Sequence, residues 1–304
     1  FGISHAVSMN SGTSALEAAV HALDLQPGDE IILPAFTIIS CANAIITHGL
    51  VPVFVDIKQT DWNVDVQALT NAITTRTKAI MCVHMYGLSC DIERIMALAK
   101  YNSLYVIEDA SQVHGAQVNG KCLGTFGDVG IFSFFANKII TTGEGGAVVT
   151  NNDNYADKCR NYRNLYFDKE RRFKHEILGR NFRMTSLQAA LGISQFKRLN
   201  EIIENKINLA ENYLEIFSDL NTRKALPVRS KERSCVYWMN AFEFDLQPQT
   251  TVTDISNALR SAGYETRYFF SNLANQTFLK DSSITHGPLT ETDLAEKNGL
   301  YFPS

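Results

Sequence analysis

The sequence predicts an α/β fold, with a large domain on a mainly parallel sheet flanked by helices and a smaller C-terminal α/β domain. Three observations carry this expectation. Short apolar runs alternate with helical patterns through the first half of the chain. Those runs are continuous, as strands covered by helices on both faces require. Beyond residue 198 the pattern changes to a long helix and then strand, helix, strand. The expected boundaries are 1–198 for the large domain and 199–304 for the connecting helix and smaller domain.

The elements follow in order. Residues 14–25 form a helix, since Leu16, Ala19, Val20 and Leu23 recur at helical spacing, and Pro27-Gly28-Asp29 ends it. Buried strands are expected at 30–33, 51–55, 78–84 and 104–107, with helical patterns over 37–47, 64–73 and 92–101 between them. Residues 130–135 and 147–150 read as strands flanking a Thr-Thr-Gly-Glu-Gly-Gly turn. Residues 151–180, rich in Asn, Asp, Lys and Arg, are expected to be a mobile excursion. A long helical stretch over 186–217 breaks near Arg198, followed by a strand at 236–244, a helix at 252–262 and a strand at 264–270.

Composition removes several classes. The 304 residues carry 28 Lys+Arg against 32 Asp+Glu, a net charge of −4, which gives no general electrostatic footprint for nucleic acid. Six cysteines at 41, 82, 90, 122, 159 and 235 include no C-x-x-C pair and no His spaced as a zinc partner. They read as reduced residues of a cytoplasmic protein with no metal site. The most apolar stretch, 31–46, is interrupted by Pro34, Ser40 and Asn43, too short and too polar to span a bilayer. No charged-then-apolar leader opens the chain. It starts at Phe1 and stops at Pro303-Ser304 after a strand-like segment, so both ends are expected to be trimmed.

Three motifs carry chemistry. Lys138 lies between an apolar strand and a turn containing Gly143, Gly145 and Gly146. A lysine in an apolar pocket loses hydration, its pKa falls, and its amine becomes a nucleophile for carbonyls. A surface lysine before a turn would read the same. Glu108-Asp109 ends an apolar strand, where ligands of parallel sheets are met. An Asp there could keep a pyridine nitrogen protonated, though carboxylates at strand ends also cap helices or bind Mg²⁺. Asn10-Ser11-Gly12-Thr13-Ser14 opens a helix, and a helix N-terminus offers free N–H groups to phosphate. A plain helix cap has the same composition. Competing motifs fail. There is no Gly-x-x-x-x-Gly-Lys-Ser/Thr loop, Gly124, Gly127 and Gly130 are not spaced as Gly-x-Gly-x-x-Gly, and His175-Glu176 lacks a second His. Together the three motifs match the needs of pyridoxal 5′-phosphate (PLP), whose phosphate must be held, ring protonated and aldehyde bonded to a lysine as a Schiff base.

The chain resembles the DegT/StrS-type sugar aminotransferases, a branch of the fold type I PLP-dependent transferases, over essentially its whole length. The matching segments are NSGTSAL (10–16), PVFVDI (52–57), TRTKAIMCVHMYG (75–87), VIEDASQVHGA (106–116), SFFANKIITTGEGG (133–146), NFRMTSLQAALG (181–192) and, weakly, GLYFPS (299–304). Within the family the likeness is nearest to enzymes making perosamine or viosamine, which aminate C4 of a nucleotide-linked 4-keto-6-deoxyhexose. The resemblance implies transfer of an amino group from L-glutamate for amino-sugar and glycan biosynthesis. It implies that Lys138 bonds the cofactor and moves the proton, and that Asp109 pairs with the pyridine nitrogen. Gln112 would sit near the ring's oxygen side. Gly12, Thr13 and Ser133 would hold the phosphate, and Asn181 would reach the cofactor of the neighbouring subunit in a homodimer with shared active sites. His84 and Arg267 are expected to line the sugar pocket. For His84 a satisfied core histidine at a strand end is the competing reading. Relatives carry a ring-stacking aromatic after the Thr of a Pro-x-x-Thr segment; here Pro34-Ala35-Phe36-Thr37-Ile38 offers an aliphatic contact instead. Alternatives are C3 amination, a PLP-dependent deoxygenating dehydratase on a related keto sugar, and a non-catalytic PLP-binding regulatory paralogue. The resemblance gives such dehydratases a His in place of the lysine.

Overall fold

A computed structural model describes residues 1–168, 170–218, 222–226 and 234–304. The first part runs β1 (His5–Met9), α1 (Gly12–Ala22), β2 (Glu30–Pro34), α2 (Ser40–Ile46), β3 (Val51–Val55), α3 (Val66–Ala72), β4 (Thr77–Val83), α4 (Ile92–Tyr101) and β5 (Tyr105–Asp109). A short hairpin, β6 (Gln117–Val118) and β7 (Lys121–Cys122), precedes β8 (Val129–Ser133), β9 (Gly146–Thr150) and α5 (Asp153–Tyr162). Then come α6 (Ser186–Lys197), α7 (Leu199–Ile216), β10 (Thr222–Ala225), β11 (Asn240–Phe244) and α8 (Val252–Ser261). Last are β12 (Arg267–Tyr268), β13 (Ile284–Thr285), α9 (Thr290–Asn298) and β14 (Gly299–Phe302).

The α/β fold is the one the sequence predicts. Eight strands form one sheet in the order β1-β9-β8-β5-β4-β2-β3-β13. Every pairing from β13 through β8 is parallel, and β9 runs antiparallel to both β8 and β1. Strands β2 and β8 are buried along their whole length, as their continuous apolar character requires. A second sheet, β10-β11-β14-β12, is antiparallel. It carries its own core of Phe242, Phe244, Leu300 and Phe302, against which Tyr213 and Phe217 pack from α7 and its C-terminal cap. The Phe217 and Phe242 rings meet edge to face at 4.6 Å. The loop between β3 and α3 is joined to this second sheet by the Trp62 indole N–H, which donates to Glu243 Oε2 at 2.9 Å.

Several elements differ from the periodicity. The first helix starts at Gly12, two residues early, because Ser11 and Ser14 form a reciprocal capping box at 3.1 and 3.0 Å. The helix expected at 37–47 begins at Ser40, since residues 37–39 form a turn at the end of β2. The polar stretch expected to be a mobile excursion contains α5, capped by Asn152 and buried at Ala156, Cys159 and Tyr162. Three buried residues at a spacing of three make a stripe too narrow for composition to reveal. The strand expected at 236–244 pairs within its sheet from Asn240 onward, and that at 264–270 pairs over two residues.

The end of β5 organises the next loop. Glu108 is fully buried and accepts the N–H groups of Gly124, Phe126 and Gly127 at 2.6, 2.7 and 2.8 Å. His84 Nε2 lies 3.1 Å away. Burial alone would raise this carboxyl, but the imidazole and the backbone donors hold it below the ordinary carboxylate range. A carboxyl depressed on folding contributes stability above its unfolded pKa and loses it as pH falls through the folded value. Glu108→Gln sets an amide NH₂ against backbone donors, so it should destabilise the fold by about 3 kcal/mol at neutral pH. Urea unfolding should show the deficit narrowing as the pH drops below the carboxylate range.

Candidate active site

The C-terminal ends of parallel strands open onto a shared crevice, where ligands of such sheets are met. Here the ends of β5 and β8 face the N-terminus of α1 across a cavity of about 370 Å³. Because Ser11 and Ser14 satisfy each other, the free N–H groups of the first turn of α1 remain for a ligand. Gly12 closes the crevice at that end. A Cβ on it would stand 2.6 Å from Ser133 Cβ and 2.9 Å from Ser133 Oγ, so the helix approaches β8 only with hydrogen at this position. Thr13 Oγ1 is 2.8 Å from Ser40 Oγ, which ties the helix start to α2.

Successive residues of a strand point to opposite faces. Glu108 therefore turns into the protein and Asp109 lines the cavity. Asp109 Oδ1 accepts the Ser111 N–H at 3.0 Å, and Oδ2 faces Cys41 Sγ at 3.5 Å. Burial, then Asp109 itself, raises the Cys41 thiol well above its ordinary pKa, so it stays a neutral donor. Gln112 lines the same wall, its Oε1 accepting the Tyr86 N–H at 2.6 Å, which leaves its NH₂ for a ligand.

Lys138 enters from the loop after β8. Burial pulls its ammonium from 10.5 down to about 8, opposed by the charge of Asp109. Among the described residues it makes no ion pair. Its Nζ lies 3.7 Å from the centroid of the Trp238 ring, whose Nε1–H donates to the Asn137 carbonyl at 2.7 Å.

The structure thus brings Gly12, Thr13, Asp109, Gln112, Ser133 and Lys138 into one cavity. Three expected residues lie outside it. His84 is wholly buried, with Nε2 on Glu108 and Nδ1 accepting the Cys90 N–H at 3.1 Å, so the expectation that it lines a sugar pocket is corrected. Arg267 is exposed, in register with the cavity-lining Tyr301 but not itself part of the lining. Asn181 is exposed and bridges to Asn164. Ile38 lines the cavity, as the departure at that position implied. Sequence reasoning missed Ser40, Trp238, Phe270 and Tyr301. Trp238 is one of two tryptophans in the chain, and nothing in the spacing connects it to Lys138 a hundred residues earlier.

Comparison with known proteins identifies the family and the fold. The model of the DegT/DnrJ/EryC1/StrS aminotransferase family matches residues 1–304. A GDP-perosamine synthase of Escherichia coli O157:H7 is 41% identical over 237 residues, 78% of this chain and 64% of that protein. A GDP-perosamine synthase of Caulobacter vibrioides is 40% identical over 269 residues, 88% of this chain and 72% of its own. The chain thus spans somewhat under two thirds of one relative's length and somewhat over two thirds of the other's. The solved structure of E. coli GDP-4-keto-6-deoxy-D-mannose-3-dehydratase with bound hydrated PLP superposes with a TM-score of 0.92 at 29% identity. The superposition covers 100% of this chain and 84% of the other.

The close approach of Gly12 to Ser133 yields a direct test. Gly12→Ala should leave the circular dichroism spectrum unchanged but weaken binding of a phosphate ester by about tenfold or more, measured by calorimetry.

Proposed function

Because the chain belongs to the DegT/DnrJ/EryC1/StrS aminotransferase family, we propose that it transfers the amino group of L-glutamate to C4 of a nucleotide-linked 4-keto-6-deoxyhexose with PLP as cofactor. Glutamate leaves as 2-oxoglutarate, and the keto carbon of the sugar becomes an amine. The observation that carries this reading is the convergence of a desolvated lysine amine and a buried strand-end carboxylate in one cavity.

The residues present fit the cofactor. The open first turn of α1, brought against Ser133 by the close approach that Gly12 permits, suits a phosphate. When bound, PLP supplies an aldehyde to receive the amine and a protonated ring to draw electrons from the adjacent carbon. Gly12, Thr13 and Ser133 would hold its phosphate. Asp109, kept in place by Ser111 and Cys41, would hold a proton on the ring nitrogen. The Gln112 amide would donate to the ring's oxygen. Lys138 Nζ, with its pKa drawn to about 8, can take a proton in one half of the transfer and return it in the other.

The same family includes dehydratases, and a lysine at 138 favours amine transfer over that alternative. The product would feed amino-sugar and glycan synthesis, with the enzyme in the cytoplasm. Among the described residues no helix is long and apolar enough to cross a membrane.

We also propose a homodimer with shared active sites. Helix α6 has no buried residue, yet it displays Leu187, Leu191, Ile193 and Phe196, with Leu187 85% exposed. An apolar trough of about 420 Å³ beside it is floored by Phe134 and Ile140, which flank the Lys138 loop. A second copy covering this face would bring exposed Asn181 toward a neighbouring cavity.

The chemistry is tested by loading full-length protein with PLP, reducing it with borohydride and locating the pyridoxyl adduct by peptide mass. An adduct on Lys138 is expected; none in folded, loaded protein would overturn the reading. Lys138→Ala should lower turnover by about 10³-fold or more while the fold persists. Product NMR distinguishes C4 from C3 amination. Leu191→Asp should shift the sedimentation equilibrium from dimer to monomer; an unchanged dimer would refute this interface.

A further inference from the structure

Nothing in the proposed transfer uses the Trp238 ring, yet it is fixed from three directions. Its N–H donates to the Asn137 carbonyl, one residue before the lysine it faces. Tyr86 lies near-parallel to it, with centroids 6.4 Å apart and an interplanar angle of 23°. Its backbone crosses Gly87, where φ is 104° and a Cβ would stand 2.7 Å from Trp238 N. A residue without a side chain permits that crossing. The indole therefore grips the lysine loop by its N–H and the lysine amine by its π face.

The titratable groups around Lys138 come from several elements. Asp109 stands at the end of β5, Cys41 on α2, Glu144 on the glycine turn and Tyr301 on β14. His114, packed on Phe132 and Phe134, is pushed down to about 3 by burial and stays neutral. Cys41 is a neutral thiol. An ammonium with little water around it gains from the negative face of an indole.

We propose that Trp238 is a positioning residue whose indole face seats the Lys138 ammonium whenever that amine is free, keeping it beside the strand ends and favouring its protonated form. As a part of catalysis, the seat rests on the aminotransferase reading, in which the lysine must be released and stay within reach between the two halves. As an interaction it exists in the protein without cofactor, where it can be measured apart from turnover.

The test is a ¹³Cε-lysine NMR titration of full-length, cofactor-free protein, with the Lys138 signal identified by its absence from Lys138→Arg. Trp238→Leu keeps apolar cover and removes the π face, so the Lys138 pKa should fall by about half to one and a half units. Trp238→Phe, with a weaker face, should fall by less. An unchanged or raised pKa in Trp238→Leu overturns the proposal, the latter because it would mean the ring acts by excluding water. If Trp238→Leu does not fold, Trp238→Phe decides by the same criterion. A protein that shows the fall but no borohydride adduct on Lys138 would refute the transfer reading and leave the seat standing.

Discussion

Adjacent carboxylates on one strand cannot serve one site, because the pleat sends them to opposite faces. At the end of β5 this constraint divides the labour. Glu108 turns inward and collects three backbone N–H groups and His84, which fixes the loop from Gly124 to Gly127 immediately before β8. Asp109 turns outward into the cavity, where a backbone donor and a neutral thiol hold it. The inward residue thus places the strand that carries Ser133, and the outward residue faces the cavity. The buried imidazole is bonded at both nitrogens, which ties β4 to β5 at the level of the site.

The cavity is assembled from pieces far apart in the chain. The start of α1, the end of β5, the loop after β8 and the aromatic residues at 238, 270 and 301 each supply one wall. Glycines permit the close approaches between them. Gly12 lets α1 reach β8, and Gly87 lets the segment carrying Trp238 cross the end of β4, with Val236 N–H donating to the Gly87 carbonyl at 2.9 Å. Trp62 and Glu243 add a buried bond between the loop after β3 and the second sheet. The walls are therefore held by contacts between distant segments, some at the cavity surface and some, such as Trp62 to Glu243, behind it.

What was legible in the sequence follows from what periodicity and local motifs encode. Continuous apolar strands and intervening helices announced the parallel sheet, and three local motifs supplied most of the polar lining, from Gly12 to Lys138. Elements set by a few contacts were less visible. The stripe on α5 is three residues wide, and the capping box on α1 moved its start ahead of the apolar pattern. His84 ends an apolar strand beside the site in sequence, and the direction of its side chain depends on Glu108 and Cys90, which spacing does not reveal. Trp238 belongs to a run that reads as a strand, and its partners lie in another part of the chain.

Helix α6 has a consequence that reaches the cavity. A helix of twelve residues is marginal in water unless its apolar face is covered, and this one buries no residue against its own chain. Its Gln188 Nε2 donates to the Glu144 carbonyl at 2.8 Å, so the helix is tethered to the glycine turn beside Lys138. Ordering the helix therefore orders the turn. If a second copy provides the cover, the rigidity of the pocket becomes a function of protein concentration, through mass action. Dilution would then slacken the cavity before it unfolds the domain.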